Sequence, residues 1–173
     1  MTEVIYRAWN IPNKTMYYDV QNGILAENEK GQLVLGTSLG TLCKDAGSIV
    51  TRYIGVEDMN DKKIFFDDII DVCVFFVSPA NPDEDIHFRG VVIEHELKVC
   101  LKIYSFLYDS SGWKNLSDTT KHFPFNLDYI EDDNTFIVSL FELCAMSGNN
   151  GEILNENLEV IGNVYQNPEL LNN

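Results

Sequence analysis

Apolar positions along this chain alternate with polar ones in short runs, broken by corners rich in Asn, Asp, Gly and Pro, which is the pattern of β-strands joined by tight turns. Val4 to Trp9 sets Ile5, Arg7 and Trp9 on one side and Val4, Tyr6 and Ala8 on the other. A turn follows at Asn10 to Lys14, where Pro12 fixes one φ and Asn13 tolerates a left-handed conformation. Met16 to Val20 is the return strand, bringing Trp9 and Tyr17 within reach of each other as core packing. Within Gln21 to Ala46, Ile24-Leu25 and Leu33 to Leu35 flank a polar turn at Asn28 to Gly31, the pattern of a second hairpin. Ser48 to Ile54 is the next strand.

The stretch from Tyr53 to Val72 organises the middle of the chain. It passes through a polar turn at Glu57 to Lys63, returns through Ile64 and Phe65, and turns again at Asp67-Asp68. The strand that follows, Ile69 to Val77, is apolar on both faces apart from Asp71, so burial on both sides is expected. Ser78 to Asp85 is a loop, with two prolines. Phe88 to Glu94 and Leu97 to Tyr104 form a hairpin around His95-Glu96, with Leu97, Val99, Leu101 and Ile103 inward and Lys98, Cys100 and Lys102 outward. Tyr108 to His122 is polar with Trp113 as anchor. Pro124 to Asn134 reads as loop, with an acidic corner at Glu131 to Asn134. Phe136 to Ala145 does not separate into clean faces and reads as strand from its β-branched start. Leu158 to Tyr165 is a strand interrupted at Gly162, where a bulge fits. Asn167-Pro168-Glu169 has the order of a helix start, Asn as cap and Pro at the first position, with Leu170 and Leu171 packing the turn back on the sheet. No period of twenty to fifty residues repeats.

At 173 residues with 45% hydrophobic positions, the chain has enough apolar surface for one domain, or for two small ones sharing an interface. Its formal charge of −15 leaves too few cations to neutralise a phosphate backbone, which argues against direct nucleic-acid binding. The charge is uneven: five cations face seven anions up to Asn60, five face nine from Asp61 to Tyr108, and two face eleven from Asp109 onward. A solvated acidic surface accounts for this, and mimicry of nucleic acid is its sharper alternative. The four cysteines, Cys43, Cys73, Cys100 and Cys144, form no C-x-x-C pair and lie beside apolar residues, as buried free thiols do. The first residues lack a basic start and an apolar segment, and no apolar run is long enough to span a bilayer, so a reducing cytoplasm is expected, with no membrane partner.

Candidate chemistry is thin. Gly36 to Thr41 resembles a phosphate loop but lacks the Gly-Lys-Ser/Thr ending that places a lysine on phosphate and a hydroxyl on magnesium. Pro82-Asp83 followed by Glu96-Leu97-Lys98 matches the carboxylate and lysine pattern of a magnesium-dependent nuclease, against a plain reading as acidic loop and hairpin tip. His95-Glu96 begins a zinc-protease motif, but Val99 stands where the second histidine belongs. His87, His95 and His122 are scattered. Asp67-Asp68 is read as turn capping in preference to cation binding. No Ser/His/Asp or Cys/His set is legible from spacing, so no catalytic, cofactor or metal residue is assigned.

Three blocks in register resemble the YopX family of phage and prophage proteins. Ile5-Tyr6-Arg7-Ala8-Trp9 with Met16-Tyr17-Tyr18 is similar to a family opening of Phe/Tyr-Arg-Ala-Trp and a later Met-Tyr. Tyr53 to Ile69 is similar to Tyr-Thr-Gly-Leu-x-Asp-x-Asn-Gly-Lys-x-Ile-Tyr-Glu-Gly-Asp-Ile. Val160 to Leu171 is similar to Val-Ile-Gly-Asn-Ile-Tyr-Glu-Asn-Pro-Glu-Leu. Asp61 and Asp67 stand where the family has Gly, and Asp tolerates left-handed geometry better than most residues. The resemblance implies a mainly β fold: an N-terminal β-hairpin region over residues 1–52, and a small SH3-like barrel over residues 53–173, ending in a helical turn. It also implies self-association, and no known activity. The resulting expectation is a non-enzymatic binding or assembly module of a phage or prophage, acting in the bacterial host cytoplasm on a host protein or its own copies through strand edges and loops such as Ser78 to Asp85 and Asp109 to His122. The rivals are an acidic mimic that blocks a basic host protein, then a magnesium-dependent nuclease.

Overall fold

The computed structural model describes residues 4–27, 33–37, 47–76, 84–108, 114–115, 129–132, 135–145 and 155–171. Among these residues the fold is mainly β, with thirteen strands and a single α-helix. The chain divides into two compact units, Met1–Ile54 and Gly55–Asn173.

The first unit opens with β1 (Tyr6–Asn10) and β2 (Thr15–Tyr17), an antiparallel hairpin. The turn between them is tied by side chains: Asn10 Oδ1 accepts from the Asn13 amide, and Asn13 Oδ1 from that of Thr15. The left-handed residue is Lys14, at φ 52°, in place of the expected Asn13. Asn13 serves the turn through its side chain instead. The register sets Trp9 opposite Met16 and Ala8 opposite Tyr17, so Trp9 and Tyr17 point to opposite faces of the sheet and do not pair. The expected return strand ends early, because Val20–Asn22 is a 3-10 turn. β3 (Ile24–Glu27) and β4 (Leu33–Thr37) make the second antiparallel hairpin, as expected. β5 (Ser48–Glu57) pairs with β1 from Ser48 to Arg52. Ala8 and Val20 are fully buried, with Tyr6, Tyr17 and Val50 packed around them. Arg7 is buried too, and its Nε donates to Thr51 Oγ1 at 3.0 Å. β5 runs on through Gly55, whose φ of 93° is one that side-chain-bearing residues rarely adopt.

The second unit is an antiparallel sheet curled as a half-barrel. After β6 (Lys63–Phe65), which pairs with the end of β5, come β7 (Asp68–Phe76), β8 (Glu84–His95), β9 (Lys98–Tyr108), β10 (Lys114–Asn115), β11 (Tyr129–Asp132), β12 (Thr135–Ser139) and β13 (Leu158–Asn163). The sheet order is β11-β12-β9-β8-β7-β13, and β10 pairs with β9. Ile70, Val72 and Val74 of β7, Phe88 and Val92 of β8, Leu101 and Ile103 of β9, Val138 of β12 and Leu158 of β13 are buried and form its core. Between β8 and β9 the register slips at Arg89/Gly90. A Cβ on Gly90 would lie 2.6 Å from the Lys102 carbonyl oxygen and 2.8 Å from Leu101 Cγ, so the bulge demands glycine.

Several expectations need correction. Leu97 is 93% exposed, because it is the tip of the β8–β9 hairpin, with φ 64°, while Cys100 on the nominally outward side is buried. Residues Tyr129–Asp132, read as loop, pair with β12 from Asp132↔Thr135 to Tyr129↔Val138. The segment read as one strand from Phe136 to Ala145 changes period at Ser139. Its Oγ accepts from the Glu142 amide at 3.4 Å, and α1 (Leu140–Ala145) buries Leu140, Leu143 and Cys144, a helical stripe. That change of period is why no clean alternation was visible. The expected bulge in β13 is present, between Val160 and Gly162. Pro168–Leu171 is a 3-10 turn and none of its residues, Leu170 and Leu171 included, is fully buried; Asn167 Oδ1 accepts from the Asn163 amide at 3.4 Å.

Candidate functional site

Three carboxylates of the central stretch are structural. Asp58 is 2% exposed; its Oδ1 accepts from the amides of Asn60 and Lys62 at 2.8 and 2.9 Å, and its Oδ2 from that of Val160 at 2.9 Å. Asp68, equally buried, accepts from the Phe65 amide at 2.8 Å. Asp67 is left-handed at φ 67°; its amide donates to the Val92 carbonyl, its carbonyl accepts from the Val164 amide, and its side chain accepts the Tyr165 hydroxyl. The Asp67-Asp68 pair is thus turn capping, as the sequence reading favours.

The turn at residues 58–62 covers one edge of the sheet. Besides the Val160 bond, the Met59 amide donates to the Leu158 carbonyl at 2.9 Å and Lys62 Nζ to the Val160 carbonyl at 3.4 Å. The outward backbone groups of β13 are therefore engaged at Leu158 and Val160, and that stretch is closed to strand addition.

A cavity of about 470 Å³ opens on the face of β7, β8 and β13 turned away from the core. Strand alternation builds it from two cross-strand rows. In one, Glu159 of β13 lies opposite Asp71 of β7, and Asp71 opposite Arg89 of β8. In the other, Cys73 of β7 lies opposite His87 of β8, and His87 opposite Leu107 of β9. Asn157, one step before Leu158, enters at the Cys73 end, and Met59, Glu156 and Leu158 complete the lining. Arg89 holds Asp71 through two bonds, Nε to Oδ1 at 2.9 Å and Nη2 to Oδ2 at 3.1 Å, a bidentate pair that fixes the first row. Asn157 is 4% exposed, and its Nδ2 has no hydrogen-bond partner.

Cys73 and His87 are a Cys/His juxtaposition that spacing alone did not reveal, since fourteen residues of sequence separate two positions that register places side by side. The environment is wrong for a nucleophile. Burial, and then the charge of Asp85, push the Cys73 thiol up to about 11 from its ordinary 9.0, whereas a reactive cysteine needs its thiolate stabilised. Burial likewise raises Cys144 to about 12, and raises Cys100.

A family model described as YopX protein matches residues 5–172. The chain belongs to the YopX family. Among curated proteins nothing matches it. Among solved structures it is similar to the crystal structure of protein EF1440 from Enterococcus faecalis, at 14% identity over 99% of both chains with a TM-score of 0.41.

In this YopX-family chain the motif blocks acquire physical roles. Asp58 of the central block accepts from Val160 of the C-terminal block. Asp61 and Asp67, which the resemblance sets against glycines, both have positive φ, 61° and 67°. Of the nuclease pattern, Glu96 and Lys98 are exposed at the β8–β9 hairpin tip, and Asp83 lies outside the described residues. So do Cys43, Trp113, His122, residues 38–41 of the phosphate-loop-like stretch, and most of the loops at 78–85 and 109–122. His95 sits beside that tip with Nε2 buried and unpartnered. Among the described residues no group of three His, Cys, Asp or Glu gathers as a metal site would require, and no helix is long and apolar enough to cross a membrane.

Proposed function

We propose that this YopX-family protein is a non-enzymatic binding or assembly module of a phage or prophage, acting in the bacterial host cytoplasm. In this reading the second unit is an SH3-like barrel, and its outer face at β7, β8 and β13 receives a partner protein or a second copy. The observation that carries it is the cavity bordered by Glu156 and Glu159, whose one thiol–imidazole pair holds the thiol protonated. A recessed surface with acidic rims and a protonated cysteine is suited to holding a group, not to transforming one. Full-length protein and its Glu159→Arg variant, each immobilised in bacterial lysate, test this. The expected outcome is a partner recovered by the first and lost from the second; turnover of a substrate by the pure protein overturns the reading.

The net charge of −15 favours a second reading, an acidic mimic occupying the nucleic-acid groove of a basic host protein. A partner displaced by duplex DNA and released by salt would support it.

A further inference from the structure

The cavity carries two unmet demands of opposite kind. Glu156 and Glu159 are exposed at its rim, and neither forms an ion pair with a described residue. Asp71 is already neutralised by Arg89. Asn157, 4% exposed, presents a buried amide donor with no acceptor, an arrangement that costs stability unless something supplies one. Between them stand the apolar surfaces of Met59 and Leu107.

We infer that this cavity seats one arginine or lysine side chain of a partner protein, with a backbone carbonyl of the same residue or its neighbour accepting from Asn157 Nδ2. The inference rests on the binding-module reading above. The cationic head meets Glu156 and Glu159, and the methylene stem lies along Met59 and Leu107. A volume of about 470 Å³ suits one long side chain with its adjoining peptide group, and is too small for a helix or a folded surface. An acidic or phosphate-bearing ligand would face two carboxylates. A bare metal ion would give Asn157 Nδ2 no acceptor.

The probe is N-acetyl-arginine amide, compared with N-acetyl-citrulline amide, which keeps the carbonyls and the shape but removes the charge. Full-length protein labelled with 15N is titrated with each. Arginine amide should shift the Asn157 side-chain amide and the backbone amides of Asp71, Cys73 and Glu159 saturably, with a Kd on the order of 1 mM for so small a ligand. Citrulline amide should bind at least about tenfold more weakly, as should arginine amide to the Glu156→Gln/Glu159→Gln protein, whose substitutions are at exposed positions and leave the fold intact. Asn157→Leu should weaken both ligands. Equal binding of the two amides, or shifts that avoid Asn157, overturns the inference. If a protein partner is still recovered from lysate through the Glu159 face while arginine amide leaves Asn157 unmoved, the module reading stands and this inference fails.

Discussion

Asp58 Oδ2 accepts the backbone amide of Val160, 102 residues away in the chain, at 2.9 Å. With its other oxygen holding the Asn60 and Lys62 amides, this one carboxylate closes the 58–62 turn and fastens it to the edge strand. The contact ties the turn after β5 to β13, two stretches far apart in the chain.

Removing that carboxylate should be the most damaging single change in the second unit. Asp58→Ala strands three amides, and each buried group without a partner costs about 1–3 kcal/mol, some of it recovered where water reaches the turn. Urea unfolding should show a loss of about 3–5 kcal/mol. Sedimentation should also detect self-association, because the β13 edge is uncovered. A loss below about 1 kcal/mol, the worth of one ordinary hydrogen bond, would contradict the clamp.

At Asp61 the backbone, not the side chain, sets the tolerance. With φ at 61°, Asp61→Gly should change stability by less than about 0.5 kcal/mol, whereas Asp61→Val should cost about 1–2 kcal/mol by placing a β-branched residue in left-handed geometry. Similar midpoints for the two variants in thermal unfolding would show that the turn does not need that conformation.

Gly90→Ala should destabilise the sheet by about 1–3 kcal/mol, since the new methyl must displace a backbone carbonyl at 2.6 Å and not merely a flexible side chain. The measurement is again chemical denaturation. An alanine variant as stable as the parent would mean that the bulge repacks freely.

The cysteines fix a pH dependence. A thiol raised from 9.0 to about 11, as at Cys73, has a thiolate fraction near neutrality roughly a hundredfold below that of an ordinary cysteine, so alkylation by iodoacetamide at pH 8 should be slower by a similar factor. The folded pKa lies above the unfolded one. The stability it contributes is therefore complete below pH 9.0 and lost as pH rises through about 11, and for Cys144 through about 12. Unfolding free energy should be insensitive to these thiols up to pH 9.0 and decline above it, with a smaller decline in Cys144→Ala. Rapid alkylation of Cys73 at pH 8 would refute the assignment.

Much of the fold was legible from the chain because turn chemistry and period-two alternation are local. The hairpin after Asn10, the β8–β9 ribbon, the bulge before Gly162 and the Asp67-Asp68 corner all follow from residues within a few positions of one another. Expectations failed, among other places, where two periods meet, at Ser139, and at a hairpin tip, where Leu97 is turned to solvent by a left-handed backbone that alternation does not foresee. The cavity was invisible for another reason. Its members belong to β7, β8, β9, β13 and two turns, and only cross-strand register brings them together. A signal did exist for Asp58, whose position in the central block matches an Asp of the family pattern, but its burial depends on a strand a hundred residues on.

That this chain is β-rich, acidic, turned at its Asp- and Asn-bearing corners, and a member of its family could be read along the chain, because each of these is written in neighbouring residues or in their order. It took the folded arrangement to make Asp58 a clamp, to set Cys73 beside His87 as a protonated thiol, and to bury the Asn157 donor beside two carboxylates that pair with no described residue. Those are facts of register and desolvation, and both arise when strands distant in the chain come to lie side by side.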